Sequence, residues 1–163
     1  MFRRLIHTSD DPSLTLLRFT LGVVFFAHGA QKVLGWFGGG GYARSMSFFT
    51  HNLGLPEILA FAAIMAEFLG GIGLILGFLS RIAGAAIAIE MAVAIAMVHL
   101  PNGFFMNWFG NQKGEGFEYH LLAIAIAITI AIRGAGALSV DRALESQRPF
   151  HSHRHPYATP LHG

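Results

Sequence analysis

The sequence contains no cysteine among its 163 residues. Disulfides, thiolate metal centres, iron–sulfur clusters and a dithiol relay carried by this chain are all excluded. Any redox chemistry must therefore use a borrowed group. Charge is also scarce: Asp, Glu, Lys and Arg make up 12% of the chain, about half the share found in a soluble domain. With 53% hydrophobic residues and a mean hydropathy of +0.53, the surface suits a lipid bilayer far better than water. The 11 Lys and Arg against 9 Asp and Glu are scattered, which excludes nucleic acid as a partner. Spans of about 20 residues each would consume nearly the whole length. No room is left for an additional soluble catalytic domain.

Apolar stretches of membrane-crossing length run from about Leu14 to Gly35, Pro56 to Leu79, Arg81 to Leu100 and Phe117 to Ile132, the last being short. They predict an all-α integral membrane protein, a four-helix antiparallel transmembrane bundle. Residues 14–144 form the bundle, 1–13 a cytoplasmic N-terminal segment and 145–163 a disordered tail. Arg3 and Arg4 precede an apolar run as in a signal peptide. However, Asp10, Asp11 and Arg18 interrupt that run and no A-x-A site follows, so the segment is expected to be retained. Lys and Arg near the span ends give the orientation. Arg3, Arg4, Arg81, Arg133, Arg142, Arg148 and Arg154 gather at one side, which predicts both termini in the cytoplasm of a multi-pass inner-membrane protein. The outer side keeps Arg44 and Lys113, with Lys32 at its edge, and carries two long, Gly-rich, aromatic connections.

Small residues recur at every fourth position: Ala66 and Gly70; Gly73 and Gly77; Gly84, Ala88, Ala92 and Ala96; Ala123, Ala127 and Ala131. Such stripes let helices approach closely in lipid, where no hydrophobic effect draws them together. They predict a tightly packed bundle.

Ionisable groups at bilayer depth cost about 2.5 kcal/mol or more, so each calls for a partner, a neutral form or a task. Antiparallel arithmetic places His28, Gln31, Lys32, His99, Glu118 and His120 at one level, with Glu67 beneath them. A polar pocket open to the outer side is expected, in which Lys32 pairs with Glu67 or Glu118. Glu90 is a secondary candidate that faces either span one or another subunit. The plainer alternative has Lys32 snorkelling to the interface and Glu118 and His120 lying among headgroups. His28, His99, His120 and a carboxylate are acceptable metal-ligand types, but they share no tight H-x-x-x-H or E-x-x-H spacing, so no metal site is expected among them. His151, His153 and His155 are read as part of a solvated tail. Gly38 to Gly41 lack the Gly-Lys-Ser/Thr of a phosphate cradle and form a flexible or re-entrant loop. The segment Pro101 to Phe109, with Asn102 and Phe104, is either an interfacial aromatic belt or a flap over the bundle mouth beside Trp36. The second arrangement offers flat apolar surfaces to a planar head group such as a quinone.

Leu17-Arg18 followed by Gly22 and His28-Gly29-Ala30-Gln31-Lys32, then Gly35-Trp36-Phe37-Gly38-Gly39, open a recognisable series. It continues with Glu67-Phe68-Leu69-Gly70-Gly71, Gly77 and Arg81, His99-Leu100-Pro101-Asn102-Gly103-Phe104, Gly116-Phe117-Glu118-Tyr119, and Gly134-Ala135-Gly136 through Ser139-Val140-Asp141-Arg142. In order and spacing these resemble the DoxX family of small bacterial four-helix membrane proteins, over about residues 14 to 144. The resemblance implies architecture more firmly than reaction. Some members look like the membrane subunit of a thiosulfate:quinone oxidoreductase, and others are linked to defence against oxidative and thiol stress. The four-helix outline is also similar to that of quinone-coupled thiol oxidases, whose cysteine pairs this sequence lacks.

The leading expectation is a quinone-interacting subunit that needs a protein partner for its redox centre, with no covalent cofactor of its own. A noncatalytic scaffold for partner proteins and a small proton-coupled transporter, the latter requiring a homo-oligomer, are the alternatives.

Overall fold

A computed structural model describes residues 2–146; the expectations for the histidines of the tail lie outside the described residues. These residues form seven α-helices and no strand. A short α1 (Phe2–Ile6) precedes the long α2 (Pro12–Val33), which Asp11 caps by accepting a 2.8 Å hydrogen bond from the Ser13 amide. The connection expected from Trp36 to Leu55 is partly ordered as α3 (Gly41–Ser47) and a π-helical turn, Phe48–Asn52. It begins with Gly38 at φ 78°, and Gly39 lies so close to the Gln31 backbone that a Cβ there would collide with it. The four glycines therefore fold the chain back over the end of α2.

Next, α4 (Glu57–Leu76) ends at Gly77, whose left-handed backbone (φ 70°) lets the Phe78 amide donate to Gly73 O at 2.8 Å. The sharp turn between the two helices lies at Gly77–Leu79. It leads into α5 (Ser80–Ala94), which continues as a π-helix over Ile95–His99 and a 3-10 turn over Leu100–Asn102. After a long loop come α6 (Glu118–Arg133) and α7 (Val140–Ser146).

Packing follows from the small residues. In α2, a Cβ on Gly22 would meet Ile75 N at 2.8 Å, and one on Gly29 would strike the Phe68 backbone. Gly71 is pressed equally hard against Phe26. These contacts run α2 antiparallel to α4 at close range. On the other side, a Cβ on Gly84 would lie 2.7 Å from Ala127 O, which brings α5 against α6. Leu21, Phe25, Leu74, Ile87, Met91, Ala127 and Ile130 fill the space between the pairs. The expected stripe is only half used, because Ala92 and Ala96 are exposed, while Gly22 and Gly29 lie outside the stripes read from sequence.

Among the described residues, three helical stretches are long and apolar enough to cross a membrane: Pro12–Val33, Glu57–Leu76 and Ser80–Asn102. With 16 residues, α6 falls short of that length.

One end of the assembly is tied by polar groups. Buried Arg18 donates to Ala135 O (2.8 Å), to Ile75 O (2.9 Å), to Leu138 O (2.6 Å) and to Leu74 O. It thereby serves carbonyls that the end of α4 leaves open. Asp141 accepts from the Leu79 and Ser80 amides at 2.8 and 3.0 Å and so caps α5. Arg81 caps α6 through Ala131 O and Ile132 O and also holds His7 O. Between the termini, Arg142 pairs with Asp10, and His7 pairs with Glu145.

Candidate functional site

At the opposite end the bundle opens into a cavity of about 940 Å³. Its floor and inner wall are polar. Lys32, near the end of α2, forms an ion pair with Glu67 of α4, the first of the two partners expected from sequence. Glu67 is 6% exposed. Glu90 of α5 stands beside it with a buried Oε2 that has no hydrogen-bond partner. Beneath this level α4 and α5 close together, since a Cβ on Gly70 would sit 3.6 Å from Ile87 Cδ1.

Higher on the wall, the His99 and His120 rings pack together with centroids 4.0 Å apart and planes inclined by 42°. Two features position them. A π-helical stretch places His99 at the end of α5, and π-turns are frequent at functional sites because one extra residue re-aims every side chain after it. His120 lies in the first turn of α6. His99 Nδ1 contacts the Glu115 carbonyl at 2.8 Å, and the Asn102 amide donates to the same oxygen at 3.1 Å, which ties the loop down. His120 is 6% exposed, yet its Nδ1 lacks a partner. His28 completes the polar wall from α2. The roof is apolar: Phe48, Phe49, Leu53 and Leu55 from the ordered connection, and Met106 from the second loop, with Arg44 among them.

Thus His28, Lys32, Glu67, Glu90, His99 and His120 converge on the cavity. The other candidates lie around it. Gln31 donates to Phe37 O at 3.1 Å and steadies the glycine turn. Asn102 holds the loop, and Phe104 packs edge-on against Phe105 and Phe117. Glu118 accepts from the Met106 amide and the Trp108 indole, which fixes the aromatic segment. Trp36 is 53% exposed beside Phe37. Sequence reasoning passed over Tyr119, which also lines the cavity, and the Phe48–Phe49 pair of the roof. Tyr119 directly precedes His120, and an amphipathic reading of residues 41–52 was the signal available for the pair. Among the described residues no group of three or more His, Asp or Glu side chains is arranged to hold a metal ion.

Residues 13–100, just over half the chain, match the DoxX family model. The chain belongs to the DoxX family. This DoxX protein is 31% identical over 136 residues to a Bacillus subtilis protein named "Putative oxidoreductase CatD", covering 83% of this chain and 90% of that one. It is also 31% identical over 154 residues to an uncharacterized membrane protein of Mycobacterium tuberculosis, covering 88% of each chain. To the inner membrane protein YqjF of Escherichia coli it is 27% identical over 143 residues, covering 85% of this chain and 96% of that one. No solved structure gives a significant match. Family and apolar helices together make it a multi-pass inner-membrane protein in contact with the lipid bilayer.

Proposed function

We propose that this DoxX protein is the quinone-interacting membrane subunit of an oxidoreductase system tied to sulfur or oxidative-stress chemistry, with the cavity as its quinone site. The observation that carries the reading is the convergence of His28, Lys32, Glu67, Glu90, His99 and His120 on one largely apolar cavity. A bound carbonyl or hydroxyl would find hydrogen-bonding groups there. The donor set fits such a group: imidazoles and a lysine at one end, flat phenyl rings over the other.

Reducing a quinone to a quinol takes two electrons and two protons. With no cysteine and no group of metal ligands among the described residues, the electrons come from a partner protein's redox centre. In this reading His120 and His28 donate the protons and Glu90 resupplies them, while Glu67 stays the anion of the Lys32 pair. The name of the Bacillus subtilis relative agrees with an oxidoreductase role.

The reading includes a fourth crossing and an orientation. At about 1.5 Å per residue α6 spans about 24 Å, and its flanking loops complete the passage. The gathering of Arg3, Arg4, Arg81, Arg133 and Arg142 at the tied end supports an orientation with both termini in the cytoplasm and the cavity open outward.

Native mass spectrometry of protein extracted from quinone-replete membranes in mild detergent tests the site. A quinone-mass adduct on the wild type, lost in His120→Ala and Glu67→Gln, is expected. A wild type carrying only phospholipid overturns the reading and favours a scaffold for partner proteins.

A further inference from the structure

The inner wall of the cavity is polar, and between α4 and α5 the cavity is bounded by a cleft of apolar residues. Those helices touch at the Gly70–Ile87 level, next to their connecting turn. Above that level the residues that would face each other line the cavity instead: Leu59 and Ala63 on α4, Ile89, Val93 and Met97 on α5. Every one of them is apolar. They are also open to the surroundings, with Ile89 67%, Leu59 53% and Val93 42% exposed. In a bilayer this exposed side faces lipid chains. Alanines at positions 62, 63, 66 and 86 keep the cleft wide.

A site with imidazole, lysine and carboxylate side chains at its inner wall and an apolar slot leading out to lipid is complementary to an amphiphile, and specifically to one whose head and chain are joined end to end. A compact water-soluble solute would leave the slot unfilled. A phospholipid headgroup would need a counter-charge for its phosphate at the polar inner wall, where Lys32 is already committed to Glu67; the other lining cation, Arg44, stands in the roof.

We propose that the ligand of this site is a single-chain amphiphile that enters sideways from the bilayer, its head reaching His120 and its hydrocarbon chain lying between α4 and α5. The inference rests on the quinone-head reading above and adds the chain and its route. Head and chain have separate requirements. The head needs the His120 wall, and the chain needs only the alanine-lined width of the cleft.

The test compares two benzoquinones with the same ring, one without a chain and one with a decyl chain, on wild type, Ala63→Phe and Val93→Trp in nanodiscs. Each ligand is compared with itself across variants, so its partition into lipid cancels. Both substitutions narrow the cleft without touching the polar wall, and Val93 lies at the exposed lip, where a bulkier side chain leaves the fold intact. The expected result is at least a tenfold loss of affinity for the decyl compound and less than a twofold change for the chainless ring. Equal losses for both, or none for either, overturn the cleft. An alkyl-diazirine fatty acid adds an independent readout, since it should label residues of the cleft such as Leu59, Val93 or Met97. Labelling of the cleft with no binding of either ring sinks the quinone head and retains the chain site. Labelling confined to other lipid-facing surfaces removes the chain site.

Discussion

Lys32 and Glu67 form an ion pair across the α2–α4 interface in which the lysine side chain is 24% exposed and the carboxylate only 8%. The two charges are therefore unequally solvated. Removing the lysine strands a buried anion, whereas removing the carboxylate frees a cation that can still reach water.

Lys32→Met should accordingly lower stability by about 3 kcal/mol, the low end for a broken buried pair because Lys32 keeps some solvent contact. Glu67→Gln should cost less. The double variant Lys32→Met, Glu67→Leu should recover most of the loss. Thermal unfolding in detergent checks all three, and strictly additive losses would show that the pair is not coupled.

Neighbouring glycines in α4 should respond in opposite ways to alanine. At Gly70 the new methyl meets Ile87 at ordinary contact distance, and the better helix former gains up to about 1 kcal/mol. At Gly71 it is driven into the Phe26 backbone of α2, and overpacking of this kind costs about 1–3 kcal/mol. A melting temperature unchanged or raised in Gly70→Ala and lowered in Gly71→Ala is the expected pattern.

The π-helix ends at His99, whose ring packs on His120 and whose Nδ1 meets the Glu115 carbonyl. His99→Ala removes both contacts. Ligand retention should fall at least tenfold while helical content by circular dichroism stays within a few per cent of wild type, an order-of-magnitude expectation for one substitution by a good helix former. Undiminished retention would show that the paired rings play no part in binding.

Stability at the tied end should depend on pH through Glu145. Partial burial pushes its carboxyl up, but the hydrogen bond from His7, the Thr8 amide and the charges of His7 and Arg3 outweigh that and hold it below the ordinary carboxylate value. A group depressed in the folded state stabilises above its unfolded pKa, and that contribution disappears as pH falls through the folded value. Wild type should therefore lose stability below about pH 4.5 more steeply than Glu145→Gln. Parallel melting curves for the two proteins would contradict this.

Much of this was legible in the sequence because membranes impose strong rules. Long apolar runs gave the helices to within a few residues, and the cost of intramembrane charge singled out His28, Lys32, Glu67, Glu90, His99 and His120, all of which reach the cavity. Spacing could not supply helix rotation or loop structure. Gln31, four residues below Gly35, turns to the glycine loop instead of the cavity. Glu118, two residues before His120, points to the aromatic segment, as the roughly 200° between such neighbours on a helix requires. The roof was hidden because residues 41–52 contain no long apolar run. Arg18 looked like a liability in span one, and only the folded chain shows the carbonyls that receive it.

That arginine also sets an order on biogenesis. Its acceptors at Ala135 and Leu138 follow it by 117 and 120 residues and do not exist until that much more chain has been made. At roughly 5–20 residues per second the wait is on the order of ten seconds. Throughout that interval the first span carries a cation whose final partners have not been made. A nascent chain that stops before Ala135 therefore holds an arginine that has its α4 acceptors but lacks the two at Ala135 and Leu138, a flaw that surveillance machinery can read as incompleteness.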